Sequence, residues 1–180
     1  AATGIGMNFG GMVLEFIAVR QSNQNVIKKI SNPKQTNAHC YSCNVLESNG
    51  TGNLITKTTP KFERAKYIQS ASLTALFVSG TASVSGEKTV HIDDVSEQTH
   101  ATIKNILTLT GSENLESNKI YPDLMLNMIN YRVYIKNGND SGKIKEICQS
   151  YFGEIPAVFL QADICRDSLL VEIEANFIIK

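Results

Sequence analysis

An alternation of apolar and acidic residues near the C-terminus is the feature that most constrains how this chain can fold. In an extended strand successive side chains point to opposite faces, so the run LLVEIEANF divides into two sets. The first set is wholly apolar and predicts a core-facing surface: Val171, Ile173, Ala175 and Phe177. The second set contains Leu170, Glu172 and Glu174. Two carboxylates are not buried on one face without partners, so at least one should meet solvent, a cation or a ligand.

Glu172 is the candidate functional residue of this pair, because it lies deeper in the apolar run than Glu174. The residues alone leave two other interpretations open, an exposed strand face and a structural ion pair. The segment 160–175 also brings Cys165 and Arg166 close to this strand in sequence. Most of the chemistry that the sequence suggests is therefore concentrated in these residues.

The second half of the chain alternates strand and helix patterns. Strands are predicted over residues 65–70, 75–78, 123–136, 157–162 and 169–179. One helix should begin after Asp93 or Asp94 and end at Gly111, and a second should run from Ser141 to Gly153. This order predicts an α+β fold, in which a mixed β-sheet has two helices packed on one face. The opposite face would need cover from an oligomer or a second domain.

The first third of the chain differs from the rest, because residues 21–60 are rich in Ser, Asn, Thr, Gly and Lys. We expect residues 1–61 to form a loop-rich extension with one or two strands, near residues 12–19 and 38–41. Residues 62–180 should form the α+β domain. Long loops in compact domains are uncommon and often functional, so this segment is expected to cover a site or dock a neighbour.

Charge and cysteine content argue against several classes of function. The 17 basic and 17 acidic residues cancel, which argues against a nucleic-acid or membrane partner. No apolar run approaches the roughly 20 residues of a membrane span, and we predict a cytoplasmic protein. His39, Cys40 and Cys43 form HCYSC, which has the spacing of half of a metal or redox site. No second pair follows at matching spacing, so we predict no metal and no cofactor.

Several segments resemble a known superfamily in order and spacing. HIDDVSEQTHATIKNIL, NYRVYIKNGNDSGKIKEICQSYFG and VEIEA resemble the YjgF/Rid family, also called endoribonuclease L-PSP. The combination of AATGIG, SNPKQTNAHCYS, FERA, FVSGTAS and ADICRDSLLVEIEA is most similar to the C-terminal half of the chorismatases. The resemblance implies a YjgF-like, chorismate-mutase-like fold. Because chorismatases are about twice as long, it also implies either docking onto a missing N-terminal half or a homotrimer.

The resemblance to chorismatases implies hydrolysis of the enolpyruvyl ether of chorismate, a small anionic carboxylate substrate. Pyruvate would leave together with a cyclohexadiene or hydroxybenzoate product. Glu172 matches the catalytic acid of the family, and Cys165 matches a position that lines its pocket. Protonation of a methylene carbon requires a carboxyl group that holds a proton near neutral pH, and partial burial favours this.

Further substrate-binding residues follow from the two carboxylates of chorismate, which need cationic partners. The candidates on this basis are Arg64, Arg132 and Arg166. Candidate hydrogen-bond donors near the developing charge are Tyr134 and the backbone of Gly80, Thr81 and Ala82.

One departure from the Rid pattern affects function. Rid enzymes that act on enamines and imines carry an arginine in a P-A-R context, whereas this chain has Pro156, Ala157 and Val158. The missing guanidinium argues against ordinary deaminase activity. Two alternatives to a chorismatase remain, a Rid-type enamine or imine deaminase and a non-catalytic small-ligand-binding domain.

Overall fold

The computed structural model describes residues 5–6, 17–20, 22–48, 55–56, 58–121 and 126–179. The strands in these ranges are β1 (Ile5–Gly6), β2 (Val26–Ile30), β3 (Glu47–Ser48), β4 (Ile55–Thr56), β5 (Ala65–Gln69), β6 (Thr74–Ala82), β7 (Val84–Ser85), β8 (Lys88–Thr89), β9 (Leu126–Ile135), β10 (Ala157–Gln161), β11 (Asp163–Ile164) and β12 (Val171–Ile179). The α-helices are α1 (Cys43–Leu46), α2 (Val95–Thr110), α3 (Ser112–Ser117) and α4 (Ser141–Phe152). None of these helices is long and apolar enough to cross a membrane.

Six of the strands form one mixed sheet in the order β10-β9-β12-β6-β5-β2. The closing strand β12 lies in the interior of this sheet and pairs antiparallel with β9 and β6. Only β10 runs parallel to its neighbour, β9, because helix α4 connects the two as a crossover. The predicted α+β fold with a mixed sheet is confirmed.

The apolar face of β12 is the centre of the core, as predicted. Val171, Ile173 and Ala175 are fully buried against α2, whose inner face presents Ile103 and Ile106. Burying a Val or Ile side chain contributes about 1.5–3 kcal/mol. Helices α2 and α4 pack together, and α2 contacts β6 and β12, so one face of the sheet is covered.

The predicted ends of α2 agree with the structure. The Asp94 carboxylate accepts a hydrogen bond from the Glu97 backbone N–H at 3.0 Å, which caps the first turn. The helix ends at Thr110, and Gly111 separates it from the short helix α3, which the sequence patterns did not predict. Near the end of α2, Leu109 is fully buried, whereas Leu107 is exposed.

The predicted strand over residues 38–41 is wrong. Residues Ala38–Cys40 form a 3₁₀ turn, closed by the hydrogen bond from Cys40 N–H to the Asn37 carbonyl, and α1 follows. Strand β2, which precedes this turn, pairs with β5 at the edge of the main sheet. Most of the strand predicted over residues 12–19 lies outside the described residues, and Ile17, Ala18 and Val19 are not in a strand.

A buried amide network holds the end of β6. Asn105 on α2 donates from Nδ2 to the carbonyls of Ala82 and Val84, both at 3.0 Å. Asn32 donates to the Asn105 carbonyl at 2.9 Å, and Gln35 donates to the Val84 carbonyl at 3.1 Å. Buried amides are stable only when hydrogen-bonded, so this network fixes the polar segment 32–35 against helix α2 and the end of β6.

Candidate active site

Glu172 lies on the sheet face opposite the helices. In the strand register it faces Ala82 of β6 on one side and Tyr134 of β9 on the other. The residue is only 6% exposed. Burial, and with it the nearby charge of Glu174, raises the pKa of its carboxyl group to about 7, against the positive charge of Arg64, which lowers it. A carboxyl group with this pKa holds a proton on about half of the molecules at neutral pH and can donate it.

Arg64 lies directly before β5 and is almost completely buried, with 4% of its surface exposed. Its Nη2 donates to the Thr36 carbonyl at 2.6 Å and to the Tyr41 hydroxyl at 2.7 Å. Its Cζ lies 5.3 Å from the centroid of the Phe62 ring. Its Nε, also buried, has no hydrogen-bond partner among the described residues. These partners are neutral, so none of them offsets the positive charge of the buried guanidinium.

Tyr41 connects Arg64 to Arg166. The Cζ of Arg166 lies 5.1 Å from the centroid of the Tyr41 ring, and the Cζ of Arg64 lies 5.8 Å from it. Arg166 also donates to the Glu87 carbonyl at 2.7 Å and approaches the Thr89 hydroxyl at 3.4 Å. The predicted ligands Arg64 and Arg166 are therefore brought together around one aromatic ring, where each makes a cation–π contact.

Ser42 fixes the position of Tyr41. The Glu87 carboxylate accepts hydrogen bonds from the Ser42 backbone N–H at 2.8 Å and from the Ser42 hydroxyl at 2.5 Å. These bonds, together with the positive charge of Arg166, hold the pKa of Glu87 below its usual value. The sequence analysis did not identify Tyr41 and Ser42, because HCYSC was interpreted only as half of a metal or redox site. The available signal was an aromatic residue inside a long polar segment.

Arg132 and Glu174 form an ion pair on the other side of Glu172. Arg132 lies opposite Glu174 in the register, and its Nη1 is 2.8 Å from the Glu174 Oε1. The same Nη1 is 3.3 Å from the Tyr134 hydroxyl, which itself hydrogen-bonds Glu174. Burial raises the pKa of the Tyr134 phenol, which therefore stays protonated. The predicted ligands Arg132 and Tyr134 are thus engaged with Glu174.

The residue at the position of the Rid arginine, Val158, lies beside Arg132 in the parallel register of β10 and β9. Its side chain is half exposed. Both residues line an open depression of about 320 Å³ together with Pro156, Glu174 and Asn176. A guanidinium is present in this depression, but it comes from the neighbouring strand and is already paired with a carboxylate.

The three candidate residues of β6 differ in orientation. Thr81 pairs with Ile173, so its side chain points to the core, where its hydroxyl donates to the Ser79 carbonyl at 2.9 Å. Ala82 lies opposite Glu172 on the open face, and the register of β6 and β12 shifts beyond Ile173. Any contribution of Thr81 to a ligand would therefore come from its backbone.

Cys165 is exposed and lies between β11 and Arg166. Cys148 on α4, in contrast, is fully buried, and burial raises the pKa of its thiol to about 12. Cys148 is thus a core residue. Within the part of the chain that the structure describes, no three His, Cys, Asp or Glu side chains are grouped closely enough to hold a metal ion.

Solved structures with a similar fold indicate its class. A protein described as an endoribonuclease L-PSP from Entamoeba histolytica superposes with a TM-score of 0.55 over 86% of this chain and 100% of its own, at 14% identity. This likeness confirms the predicted YjgF-like fold. A crystal structure of a chorismatase superposes with a TM-score of 0.70 at 29% identity, over 84% of this chain and 43% of that one.

Sequence comparison gives the same relationship. The chain is 33% identical to a 3-hydroxybenzoate synthase from Streptomyces hygroscopicus, over 97% of this chain and 49% of that protein. It is 32% identical to a chorismatase from the same organism, over 97% of this chain and 47% of that protein. No family model matches. The predicted resemblance to chorismatases is confirmed, and the chain spans about half the length of the curated relatives it matches.

Proposed function

We propose that this chain carries the catalytic acid of a chorismatase-like enzyme that cleaves the enolpyruvyl ether of chorismate. The observation that carries the proposal is a buried carboxyl group, Glu172, with a pKa near neutrality. The similarity to chorismatases over nearly the whole chain supports the choice of substrate.

The proposed reaction is a proton transfer from Glu172 followed by hydrolysis. The Glu172 carboxyl donates its proton to the methylene carbon of the enolpyruvyl group, which leaves an oxocarbenium ion at the ether carbon. Addition of water to that carbon and cleavage of its bond to the ring oxygen release pyruvate and a cyclohexadiene diol. Where the ring loses water and aromatises, the second product is a hydroxybenzoate.

Substrate binding is assigned to Arg64 and Arg166, whose hydrogen bonds go to neutral oxygen atoms. Arg64 and Arg166 bind the two carboxylates of chorismate, because both guanidinium groups lie at the Tyr41 ring and Arg64 acts electrostatically on Glu172. The backbone of Gly80, Thr81 and Ala82 would donate hydrogen bonds to the substrate beside Glu172. Cys165 would line the edge of the same pocket.

The open face of the sheet is proposed to be completed by more protein. The chain covers about half of each curated relative, so the cover would be either the other half of a longer chain or further copies in a homotrimer. The functional unit would then be residues 62–180 together with the segment that carries Tyr41. The cytoplasmic location stays a prediction.

The test is release of pyruvate from chorismate, measured with a coupled lactate dehydrogenase assay on both this chain and the complete gene product. Wild-type protein should release pyruvate. The variant E146Q, which removes one exposed carboxylate on α4, should retain that activity. Absence of pyruvate from the complete gene product would overturn the proposal.

One observation favours a Rid-type deaminase as the second candidate: Arg132 lies beside Val158, the position of the missing Rid arginine. Its ion pair with Glu174 argues against carboxylate binding there. Iminopyruvate generated from an amino acid would distinguish the two activities. Ligand-induced stabilisation without turnover of either compound would instead indicate a non-catalytic binding domain.

A further inference from the structure

The acidic residue next to the proposed catalytic acid has no role in the chemistry described above. Glu174 lies two residues after Glu172 on β12 and shares its face of the sheet. It receives a hydrogen bond from Tyr134 and an ion pair from Arg132 at 2.8 Å. These partners, one of them a guanidinium group, hold the carboxylate in one place.

We propose that Glu174 is a positioning residue that keeps Glu172 protonated, both through its own negative charge and by neutralising Arg132. This inference deepens the proposed function, because the proton on Glu172 is the one that the reaction uses. Two like charges on neighbouring positions of one strand face disfavour a second ionisation. Glu174 has a guanidinium partner at 2.8 Å, whereas Glu172 is almost completely buried, so the inference assigns the proton to Glu172.

The groups around Glu172 define a balance of charges. On its own strand it faces Glu174, and from β9 it faces Tyr134 and, diagonally, Arg132. Ala82 of β6 also faces Glu172 and does not titrate. Arg64, the residue before β5, acts on Glu172 with its positive charge. Without Glu174, its negative charge would no longer oppose the positive charge of Arg64, and Arg132, diagonal to Glu172, would no longer be neutralised. Both changes favour the ionised form of Glu172.

Tyr134 contributes to the surroundings of both Glu172 and Glu174. Tyr134 pairs with Glu172 in the register, yet its hydroxyl bonds Glu174 and accepts from Arg132 at 3.3 Å. Its ring therefore lies beside Glu172 and adds to the burial, while its donor serves the neighbouring carboxylate. Burial and charge then act on Glu172 in the same direction.

The decisive experiment is a direct titration of Glu172 in the full chain. Carboxyl carbon NMR with labelled glutamate monitors the titration, and the variant E172Q identifies the Glu172 signal. In E174Q the Glu172 midpoint should fall, by an amount on the order of one pH unit. The control E146Q changes net charge equally at an exposed, distant site and should leave the midpoint in place. An unchanged or raised midpoint in E174Q would overturn the inference.

Two further variants separate the two contributions of Glu174. In R132M the midpoint should rise, because the charge of Glu174 is no longer offset; a fall would contradict the inference. In R132M/E174Q the midpoint should lie between those of E174Q and wild type. R132M also gives a result if E174Q does not fold, as checked by circular dichroism.

The titration needs no turnover, so the inference and the proposed function can fail separately. If chorismate is cleaved, the basic limb of the kcat/KM profile should move to lower pH in E174Q, and E174D should restore part of the shift. A lowered NMR midpoint with no pyruvate from the complete gene product would leave the inference in place and overturn the proposed function.

Discussion

The positive charges on the two sides of Glu172 are held by different kinds of partner. Arg64 donates to a carbonyl and a phenol, both neutral, whereas Arg132 pairs with the carboxylate of Glu174 at 2.8 Å. A buried cation with neutral partners retains a net attraction for an anion, whereas a cation in an ion pair has lost most of it. The same residue type, on the same sheet face, therefore has two different uses.

This difference assigns one function to each side. In the proposed function, the side formed by Arg64, Tyr41 and Arg166 would bind a substrate carboxylate, because two guanidinium groups lie at one ring. The side formed by Arg132 and Glu174 is internally neutral and acts on the neighbouring acid. The predictions below test this division, in order of decreasing effect.

The largest effect should come from the carboxyl group that both sides share. E172Q keeps the shape of the side chain but removes the proton donor, and loss of a general acid typically lowers kcat by about 10²–10⁴-fold. Pyruvate release by the complete gene product, with E146Q as the control, measures this. Full activity of E172Q would mean that neither side acts through Glu172.

The stability of the chain should fall as pH rises. The folded-state pKa of Glu172 is about 7, above the ordinary value of 4.5, so between these values the native state binds more protons than the unfolded state. The stabilisation is complete below about pH 4.5 and is lost as pH rises through about 7. The full difference is on the order of 3 kcal/mol.

Urea unfolding at several pH values from 5 to 8.5 measures this dependence. The free energy of unfolding of wild-type protein should decrease over this range, whereas in E172Q, whose side chain does not titrate, most of that decrease should be absent. Equal slopes for the two proteins would show that the carboxyl group is not buried as described.

Anion affinity should separate the two arginines. In an E172Q background, which prevents turnover, R64M should weaken chorismate binding by about 10- to 100-fold, because a buried hydrogen bond to a charged group contributes about 1.5–3 kcal/mol. R132M should change chorismate affinity by less than about threefold, since Arg132 pairs with Glu174 of the same chain. Isothermal titration calorimetry on the complete gene product measures both, and equal losses would contradict the comparison.

Much of this arrangement was predictable where the signal is local. The period-two alternation of β12 identified the buried set Val171, Ile173, Ala175 and Phe177. The same strand parity put Glu172 and Glu174 on the opposite face, and the Asp94 cap and Gly111 set the ends of α2. Each of these features depends on neighbours within a few residues, which a sequence shows directly.

The partners of the arginines were not predictable, because they depend on register and on distant segments. The pairing of Arg132 with Glu174 follows only from the alignment of β9 with β12, which no local pattern fixes. The contact of Tyr41 with Arg64 and Arg166 joins three separate segments. Tyr41 lies in a polar stretch that we interpreted as loop and strand, so the sequence did not indicate its role.

The smallest effect should come from the group that connects the two cations of the first side. Y41F removes the hydroxyl that accepts from Arg64 Nη2 at 2.7 Å, but it keeps the ring on which Arg166 packs. Arg64 retains its bond to the Thr36 carbonyl, so its charge stays in place with more freedom. Chorismate affinity should therefore fall by about three- to tenfold, because the lost hydrogen bond only positions Arg64 and a typical hydrogen bond contributes about 0.5–1.5 kcal/mol. C40S, a change at the exposed neighbouring residue, is the matched control and should bind as wild type does. If Y41F binds normally and Y41A does too, the ring does not organise the arginines, and the contrast between the two sides of Glu172 would rest on Arg64 alone.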